Sequence, residues 1–288
     1  MPQRRRVQRG VTWAVVMGLV VTACWSLTAF AETTLEKVKR QGYVRVGFAN
    51  EAPFGYATPE GKLTGEAPEV AKAVLAKMGI PEIDGVLTEF GSLIPGMQAG
   101  RFDIIAAGMF ITPRRCQQID FSEPSYGIGQ ALLVREGNPK NLHTYADVAK
   151  QSDVKLAVMA GAIEQSYARD AGVAMGQLMT LPDPPSLLAA VQAGRADAAA
   201  LTALSIANLA AKGEGVEATE PFATVAGKSV MGHGAFGFRK GDDHLRSEFN
   251  KHLKAFLGTE EHLALVTPFG FGEGFLPTQT TTALCEAP

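Results

Sequence analysis

A repeated segment constrains the fold of this chain more than any other feature of its sequence. Residues 92–112 (SLIPGMQAGRFDIIAAGMFIT) recur as residues 186–206 (SLLAAVQAGRADAAALTALSI), with identical residues at eight positions in register and no gap. Each copy has an apolar helical stretch, an Ala-Gly-Arg helix stop and a short apolar run opened by Asp103 or Asp197. The repeat predicts an α/β chain with two similar lobes and a cleft between them, and the alternative is a coincidence of two common helix-to-strand junctions.

The first thirty-one residues have the pattern of an export signal. Four arginines within residues 4–9 precede the uncharged stretch 11–23, and residues 29–31 (AFA) offer a small-x-small cleavage site. The apolar run is shorter than the roughly 20 residues that a membrane anchor requires. We therefore expect cleavage after Ala31 and a periplasmic protein, whereas processing at Cys24 to give a lipoprotein is the alternative.

Composition and motifs exclude several classes of function. Without residues 1–31, the chain keeps 23 Lys and Arg against 29 Asp and Glu, a net charge of −6 that argues against a nucleic-acid partner. The remaining chain is long enough for two lobes, each with its own core.

The sequence contains no His-Glu-x-x-His helix, Gly-x-Ser-x-Gly elbow, complete phosphate loop or Cys-x-x-Cys pair. We expect a monomer without catalytic residues, bound metal or cofactor, and His233, between two glycines, is the one histidine for which a role is considered.

Two apolar runs divide the chain into lobes. Residues 130–134 and 234–239 are predicted to form strands that pass between the lobes and act as hinges. The predicted first lobe comprises residues 32–130 and the return segment 234–288, and the second lobe comprises residues 131–233. Within the lobes, the pattern predicts strands at 43–48, 83–90 and 155–159, helices at 67–78, from 162 and at 242–257, and a helix N-cap at Thr144.

Cys116 and Cys285 are the two cysteines that remain after cleavage at Ala31. An even number of cysteines in an oxidising compartment makes a disulfide plausible, and two free thiols are the alternative. Such a bond would tie the end of the chain to the first lobe.

Residues 107–126 (AGMFITPRRCQQIDFSEPSY) resemble the signature of the extracellular solute-binding proteins of family 3, which deliver polar amino acids and related compounds to ABC importers. With residues 42–47 (GYVRVG), the crossings and the repeat, the resemblance covers essentially the whole mature chain. More narrowly, residues 49–65 and 88–112 resemble the binding components of ectoine and hydroxyectoine importers. The resemblance implies a type II periplasmic-binding-protein clamshell, a ligand between the lobes and a membrane permease as partner.

The resemblance also assigns roles around a ligand carboxylate. Arg115, three residues after Thr112, matches the family arginine that holds the carboxylate, since a planar guanidinium can meet two oxygens at once. Thr112 is a candidate ligand-binding residue beside it. Backbone N–H groups near Gly108, Gly161 and Ala162 would donate to the same carboxylate.

The position that carries an ammonium-binding Asp in relatives specific for α-amino acids is Thr202 in this chain. A compact ammonium would lose its ionic partner there, so an ordinary amino acid becomes a poorer fit.

Three phenylalanines match the aromatic box of the ectoine-binding group: Phe54 in a turn, Phe90 at a predicted strand end and Phe110 where the signature loop begins. Ectoine carries a carboxylate on a ring whose positive charge is delocalised over an amidine, and aromatic faces suit such a weakly hydrated cation. Glu51 and, from the second lobe, Glu164 are the candidates to pair with the amidine.

The sequence thus predicts a non-enzymatic binding component of an ABC importer that captures ectoine or 5-hydroxyectoine. Two alternatives remain open. One is a binding protein for glutamine, histidine, arginine or another polar or cationic amino acid. The other is a lyase or dehydratase on the same fold, with Glu51 or Glu164 as general acid.

Overall fold

The computed structural model describes residues 32–287, so the predicted export signal, its cleavage site at Ala31 and the alternative site at Cys24 lie outside the described residues. The strands are β1 Tyr43–Phe48, β2 Tyr56–Ala57, β3 Leu63–Thr64, β4 Glu82–Leu87, β5 Ile104–Phe110, β6 Asp120–Phe121, β7 Tyr126–Ile128, β8 Gln130–Arg135, β9 Leu156–Met159, β10 Leu178–Leu181, β11 Ala198–Thr202, β12 Val216–Ala218, β13 Thr224–Val225, β14 Lys228–Ser229 and β15 Gly232–Phe238.

The helices of the same part of the chain are mostly short. They are α1 Thr34–Gln41, α2 Glu66–Lys77, α3 Leu93–Gln98, α4 Pro113–Cys116, α5 Tyr145–Ala149, α6 Glu164–Asp170, α7 Pro184–Gln192, α8 Ala203–Lys212, α9 Asp243–Phe256, α10 Glu260–Val266 and α11 Thr281–Cys285. Among residues 32–287, none of the helices is long and apolar enough to cross a membrane.

Most of the strands form two large sheets, and each large sheet with its helices is called a lobe below. β2 pairs only with β3, and β13 only with β14, among the described residues. The first lobe has the strand order β4-β1-β5-β15-β6, with β7 also paired to β15, and the second has the order β10-β9-β11-β8-β12. In each lobe three neighbouring strands run parallel, so their carboxyl ends lie at one edge of the sheet. The parallel strands β5, β9 and β11 inside the sheets are buried, as expected where helices cover both faces of a sheet, whereas the edge strands β4 and β10 are partly exposed.

The two copies of the repeat occupy equivalent places in the two lobes. The first copy forms α3 and β5, and the second forms most of α7, β11 and the start of α8. Asp103 accepts a backbone hydrogen bond from Arg45 at 3.2 Å, and Asp197 accepts one from Lys155 at 2.8 Å. Each aspartate therefore fixes the start of its strand to the neighbouring parallel strand, which explains why both copies carry it.

The crossings between the lobes differ from the predicted crossing strands. β8 lies in the second sheet from Gln130 onwards, and β15 lies in the first sheet over its whole length, Gly232–Phe238. The chain crosses instead at Gly129 and between Phe222 and Gly232, and Gln130 and Phe222 exchange backbone hydrogen bonds of 2.8 Å there. The apolar runs indicated burial correctly, but burial does not reveal with which sheet a strand pairs. The predicted lobe boundaries stay predictions.

Local predictions succeeded where capping and periodicity were clear. Thr144 caps α5 with a capping box, and the strand at 43–48 is present as predicted. The strand predicted at 83–90 ends at Leu87, and Phe90 instead opens a 3-10 turn, Phe90–Ser92. The helix predicted from Ala162 begins at Glu164, because residues 160–163 form a turn first.

Cys116 of α4 and Cys285 of α11 form a disulfide bond, with their Cα atoms 5.7 Å apart. Thr281 adds two hydrogen bonds to the contact that this disulfide makes. Its backbone N–H donates to the Glu123 carboxylate at 3.1 Å, and its hydroxyl donates to the Ser122 carbonyl. The end of the chain is thereby held against the segment that follows β5.

Candidate functional site

A small cavity lies between the lobes, where the carboxyl ends of their parallel strands face each other. It contains about 300 Å³ of space between protein atoms, its open mouth included. The lining residues are Glu51, Phe54, Phe90, Gly108, Phe110, Arg115, Met159, Ala162, Ile163, Glu164, Leu201 and Thr202. Strand ends of this kind border ligand crevices in open α/β sheets.

Arg115 is the cation of this cavity. It lies in the single turn of α4, which Thr112 caps by accepting the Arg115 N–H at 3.2 Å. Its Nη1 donates to the Phe110 carbonyl at 2.8 Å, and its Nη2 donates across the cleft to the Gly161 carbonyl at 3.0 Å. The guanidinium carbon lies 5.5 Å from the centroid of the Phe90 ring. These contacts fix the plane of the fork and join the lobes, while other guanidinium N–H groups remain for a ligand oxygen.

Burial lowers the pKa of the Arg115 guanidinium, and the nearby Glu164 carboxylate opposes that effect. Arginine keeps its charge in proteins even when its pKa is lowered. The cavity therefore contains a fixed positive charge.

Glu51 and Glu164 contribute a carboxyl group from each lobe. Glu51 accepts a hydrogen bond from the Ser205 hydroxyl at 2.7 Å, whereas Oε2 of Glu164 has no hydrogen-bond partner among the described residues. Burial raises the pKa of Glu51 to about 7, opposed by the Ser205 hydrogen bond and the charge of Arg115. Burial and the charge of Glu51 raise the pKa of Glu164 to about 8. With two carboxyl groups against one guanidinium, the cavity favours a cationic group on its ligand.

The three predicted phenylalanines all line the cavity and are themselves buried. The Phe54 ring lies 5.3 Å from the Tyr126 ring and 5.5 Å from the Phe271 ring, and the Phe110 ring lies 6.4 Å from the Tyr126 ring, between centroids. The aromatic cluster behind the cavity thus holds Phe54 and Phe110 in place. The ring surfaces that line the cavity supply the apolar and cation-binding surface that a flat cationic ring needs.

Gly108 makes this packing possible. Its φ is +65°, and a Cβ atom there would lie 2.6 Å from the Phe54 ring. The Tyr126 hydroxyl donates to its carbonyl at 2.9 Å. A glycine is therefore required between β5 and the aromatic cluster.

Of four further predicted site residues, two lie at the edge of the cavity and two line it. Thr112 and Gly161 line a groove outside it, next to Arg115. Ala162 lines the cavity, but its N–H donates to the Met159 carbonyl at 3.2 Å and is already used by the protein. Thr202 lines the cavity and caps α8 by accepting the Ser205 N–H at 3.3 Å. The backbone donors expected around Gly161 and Ala162 are thus the least supported part of the predicted set.

Sequence reasoning missed four residues of the site. Met159, Ile163 and Leu201 line the cavity, and Ser205 donates to Glu51. Met159 and Leu201 lie at strand ends, so the rule used for Phe110 could have indicated them. Nothing in the sequence pattern marks Ser205, because the bond it makes crosses between lobes.

The histidines take no part in the cavity. His233 is buried in β15, where burial lowers its pKa, and it does not line the cavity. His262 is also buried, with its ring 5.4 Å from that of Phe256. Residues 32–287 contain no cluster of three or more side chains that could hold a metal ion.

Comparison with known proteins identifies the class. A sequence profile of the bacterial extracellular solute-binding proteins, family 3, matches residues 44–271, and the chain belongs to this family. The type II periplasmic-binding-protein clamshell that the family resemblance implies is confirmed by its structural relatives.

Two proteins of known sequence and one solved structure are similar to this chain over most of its length. The chain is 43% identical over 260 residues to the probable amino-acid ABC transporter periplasmic-binding protein y4tE of Sinorhizobium fredii, covering 88% of this chain and 86% of that one. It is 27% identical over 238 residues to the L-cystine-binding protein TcyJ of Escherichia coli, covering 82% and 85%. The crystal structure of EhuB in complex with hydroxyectoine has a TM-score of 0.80 and 34% identity, covering 89% of this chain and 99% of that one.

These relatives are substrate-binding proteins of ABC transporters and not enzymes. This protein is accordingly a solute-binding component of an ABC importer for amino acids or related solutes. Proteins of this class bind a small molecule, associate with the transporter and, in the importers concerned, act in the periplasm.

Proposed function

We propose that this protein captures ectoine or 5-hydroxyectoine in the cavity between its lobes and delivers it to the importer's permease. The observation that carries the proposal is the arrangement of charge and aromatic surface. One buried guanidinium and two buried carboxyl groups line the same cavity as three phenylalanines. A zwitterion whose cation is flat and delocalised matches both the charges and the rings.

In this proposal Arg115 receives the ligand carboxylate. Its side chain is already oriented by the carbonyls of Phe110 and Gly161, so little rotamer freedom is lost on binding. The amidine nitrogens donate to Glu51 and Glu164, whose buried oxygens gain a cationic partner. The ring lies among Phe54, Phe90 and Phe110.

Closure follows from the way the two lobes share the ligand. Glu51 and Arg115 belong to the first lobe and Glu164 to the second, so a ligand that touches all three binds the shut conformation more tightly than an open one. We propose that the connections at Gly129 and before Gly232 serve as the hinges. Relative to the predicted lobes of residues 32–130 with 234–288 and 131–233, Gln130 then belongs to the second lobe, and Gly232 and His233 belong to the first.

Thr202 supports ectoine over an ordinary α-amino acid. It offers a hydroxyl that is already used to cap α8, where an ammonium group would need a carboxylate. The two glutamates nevertheless give a second candidate some support, because they can also pair with the charges of a cationic amino acid. The names of the relatives y4tE and TcyJ refer to amino acids as well.

Isothermal titration calorimetry with purified mature protein tests the proposal. Ectoine and hydroxyectoine should each give a saturable isotherm with one site, while arginine, glutamine, histidine and cystine should give much weaker binding or none. Binding of an amino acid together with no heat from either ectoine would contradict the proposal in favour of the second candidate.

Export is part of the proposal. We propose that the mature protein begins after Ala31, with lipid modification of Cys24 as the alternative outcome. The intact mass of the protein recovered from the periplasmic fraction distinguishes the two.

A further inference from the structure

A hydrogen bond between two buried side chains joins the lobes beside the cavity. The hydroxyl of Ser205 donates to Oε1 of Glu51 at 2.7 Å, within the usual range for an O–H···O hydrogen bond. Glu51 follows β1 in the first lobe, and Ser205 lies in the first turn of α8 in the second lobe. Both side chains are buried, with 5% of Glu51 and none of Ser205 exposed.

The backbone on each side fixes the position of its partner. Glu51 and Gly55 exchange backbone hydrogen bonds of 2.9 and 3.0 Å, which closes a tight turn around Phe54. On the other side, the Ser205 N–H donates to the Thr202 hydroxyl at 3.3 Å. Neither group can move far without breaking local structure, so the bond between them depends on how close the lobes are.

Ser205 does not line the cavity, whereas Glu51 does. We propose that Ser205 is a positioning residue: its hydroxyl latches the closed lobes together and holds the Glu51 carboxylate so that its other oxygen faces the ligand cation. This inference rests on the proposed function for the identity of the ligand, but the latch itself does not depend on which solute is bound.

The surroundings of Glu51 show why a neutral donor is suited to this place. The titratable groups that act on it or share its cavity are Glu164, Arg115 and Tyr126, the last with a pKa raised by burial. A second cation there would compete with the cation of the ligand. A hydroxyl stabilises the charged carboxylate by a hydrogen bond and leaves its charge free to attract the ligand.

Three serine variants test the latch. Ser205→Ala removes the hydroxyl, and Ser205→Thr keeps it. Ser122→Ala is the matched control, because Ser122 is a buried serine whose hydroxyl bonds to backbone groups of the first lobe and not to the cavity. For each, we would measure the Kd for ectoine by calorimetry at several pH values and the radius of gyration by small-angle X-ray scattering with no solute added.

We expect Ser205→Ala to bind ectoine about tenfold to a hundredfold more weakly, the range for loss of a hydrogen bond to a charged group. Its radius of gyration without solute should exceed that of the wild type, and the pH midpoint of its binding should rise because Glu51 loses a donor that favours its charged form. Ser205→Thr should restore all three quantities. Ser122→Ala should melt at a lower temperature with an unchanged Kd.

The results separate the two proposals. An unchanged radius of gyration in Ser205→Ala, or an unchanged Kd and pH midpoint, would overturn the latch. No heat from ectoine with the wild type would contradict the ligand instead. In that case the proposed role of Ser205 is tested only by comparing the radius of gyration of the wild type with that of Ser205→Ala, both without solute.

Discussion

The Arg115 guanidinium lies 5.5 Å from the centre of the Phe90 ring and donates across the cleft to the carbonyl of Gly161 at 3.0 Å. One side chain thus stacks on an aromatic residue of its own lobe and bonds to the other lobe. Gly91, next to Phe90, packs so closely on Gly161 that a Cβ atom on Gly161 would lie 2.5 Å from the Gly91 Cα. The cation of the site is therefore positioned where the lobes are in contact.

Arg115→Lys should weaken ectoine binding by at least about 2 kcal/mol, or thirtyfold, because a lysine lacks the planar fork that bonds two carbonyls and a carboxylate together. The Kd from calorimetry measures this. Arg114→Ala is the matched control, since Arg114 is the exposed neighbour outside the cavity. Equal loss in both variants would show that affinity does not depend on the planar fork of Arg115 in the cavity.

Phe90→Leu should weaken binding of ectoine by about 0.5 to 2 kcal/mol, because the leucine keeps an apolar side chain but loses the negative face that attracts the amidinium. The comparison with Phe249→Leu, in the core of the first lobe, separates affinity from stability. That control should lower the melting temperature and leave the Kd unchanged. If Phe90→Leu binds as tightly as the wild type, the ring does not contact the cation.

Binding should release protons near neutral pH. Burial holds the pKa of Glu51 near 7 and that of Glu164 near 8, and a ligand cation favours their charged forms. Affinity should therefore rise with pH from 6 to about 8. Calorimetry in buffers of different ionisation enthalpy counts the protons, and a heat independent of the buffer at pH 7 would contradict this prediction.

The same glutamates should make the protein without solute less stable as pH rises. Their pKa values are raised above the ordinary 4.5, so between that value and about 8 the folded protein binds more protons than the unfolded chain, and the free energy of unfolding falls. A Glu51→Gln, Glu164→Gln double variant should flatten this dependence in thermal melts. Some slope should remain because burial also raises the pKa of Glu66 to about 8. If the stability of the double variant changes with pH as steeply as that of the wild type, the pH dependence does not come from Glu51 and Glu164.

Loss of the disulfide should destabilise the protein. Cys116 and Cys285 are 169 positions apart, so their bond restricts the unfolded chain over a long loop. Replacing both by Ser should lower the free energy of unfolding by about 2 to 4 kcal/mol, measured by urea denaturation. Thiol titration of the unfolded mature protein should find no free thiol without reductant and two with it. Two free thiols without reductant would show that the bond does not form.

Gly108→Ala should reduce both stability and binding, because its Cβ would meet the Phe54 ring as well as strain the backbone. Gly100→Ala is a matched control: its φ is +69°, close to the +65° of Gly108, but no atom lies within 4 Å of the added Cβ. The control should lose stability through backbone strain alone and bind ectoine normally. Equal binding in both variants would show that the contact with Phe54 does not shape the cavity.

Much of the site could be predicted from local rules. Arg115 was found because it falls at the family position in the signature segment, and Phe110 because it matches the aromatic box of the ectoine-binding group where the signature loop begins; both line the cavity. Phe54 was found for a similar reason. Phe90 was placed at a strand end, but it belongs to a 3-10 turn after β4, since strand length depends on pairing with β1. The two connections between the lobes also lie outside the predicted crossing strands, because a sequence pattern does not show with which sheet a strand pairs.

The amino-acid sequence by itself determined the α/β class, the duplicated lobe and the residue types available to a ligand. These features depend on periodicity, capping and motifs that act over short distances along the chain. Only the tertiary structure decided which carboxyl groups line the cavity, that Ser205 bonds to Glu51, and that Ala162 uses its N–H internally. Such contacts join residues up to 154 positions apart, and their geometry depends on how two separately folded sheets come together.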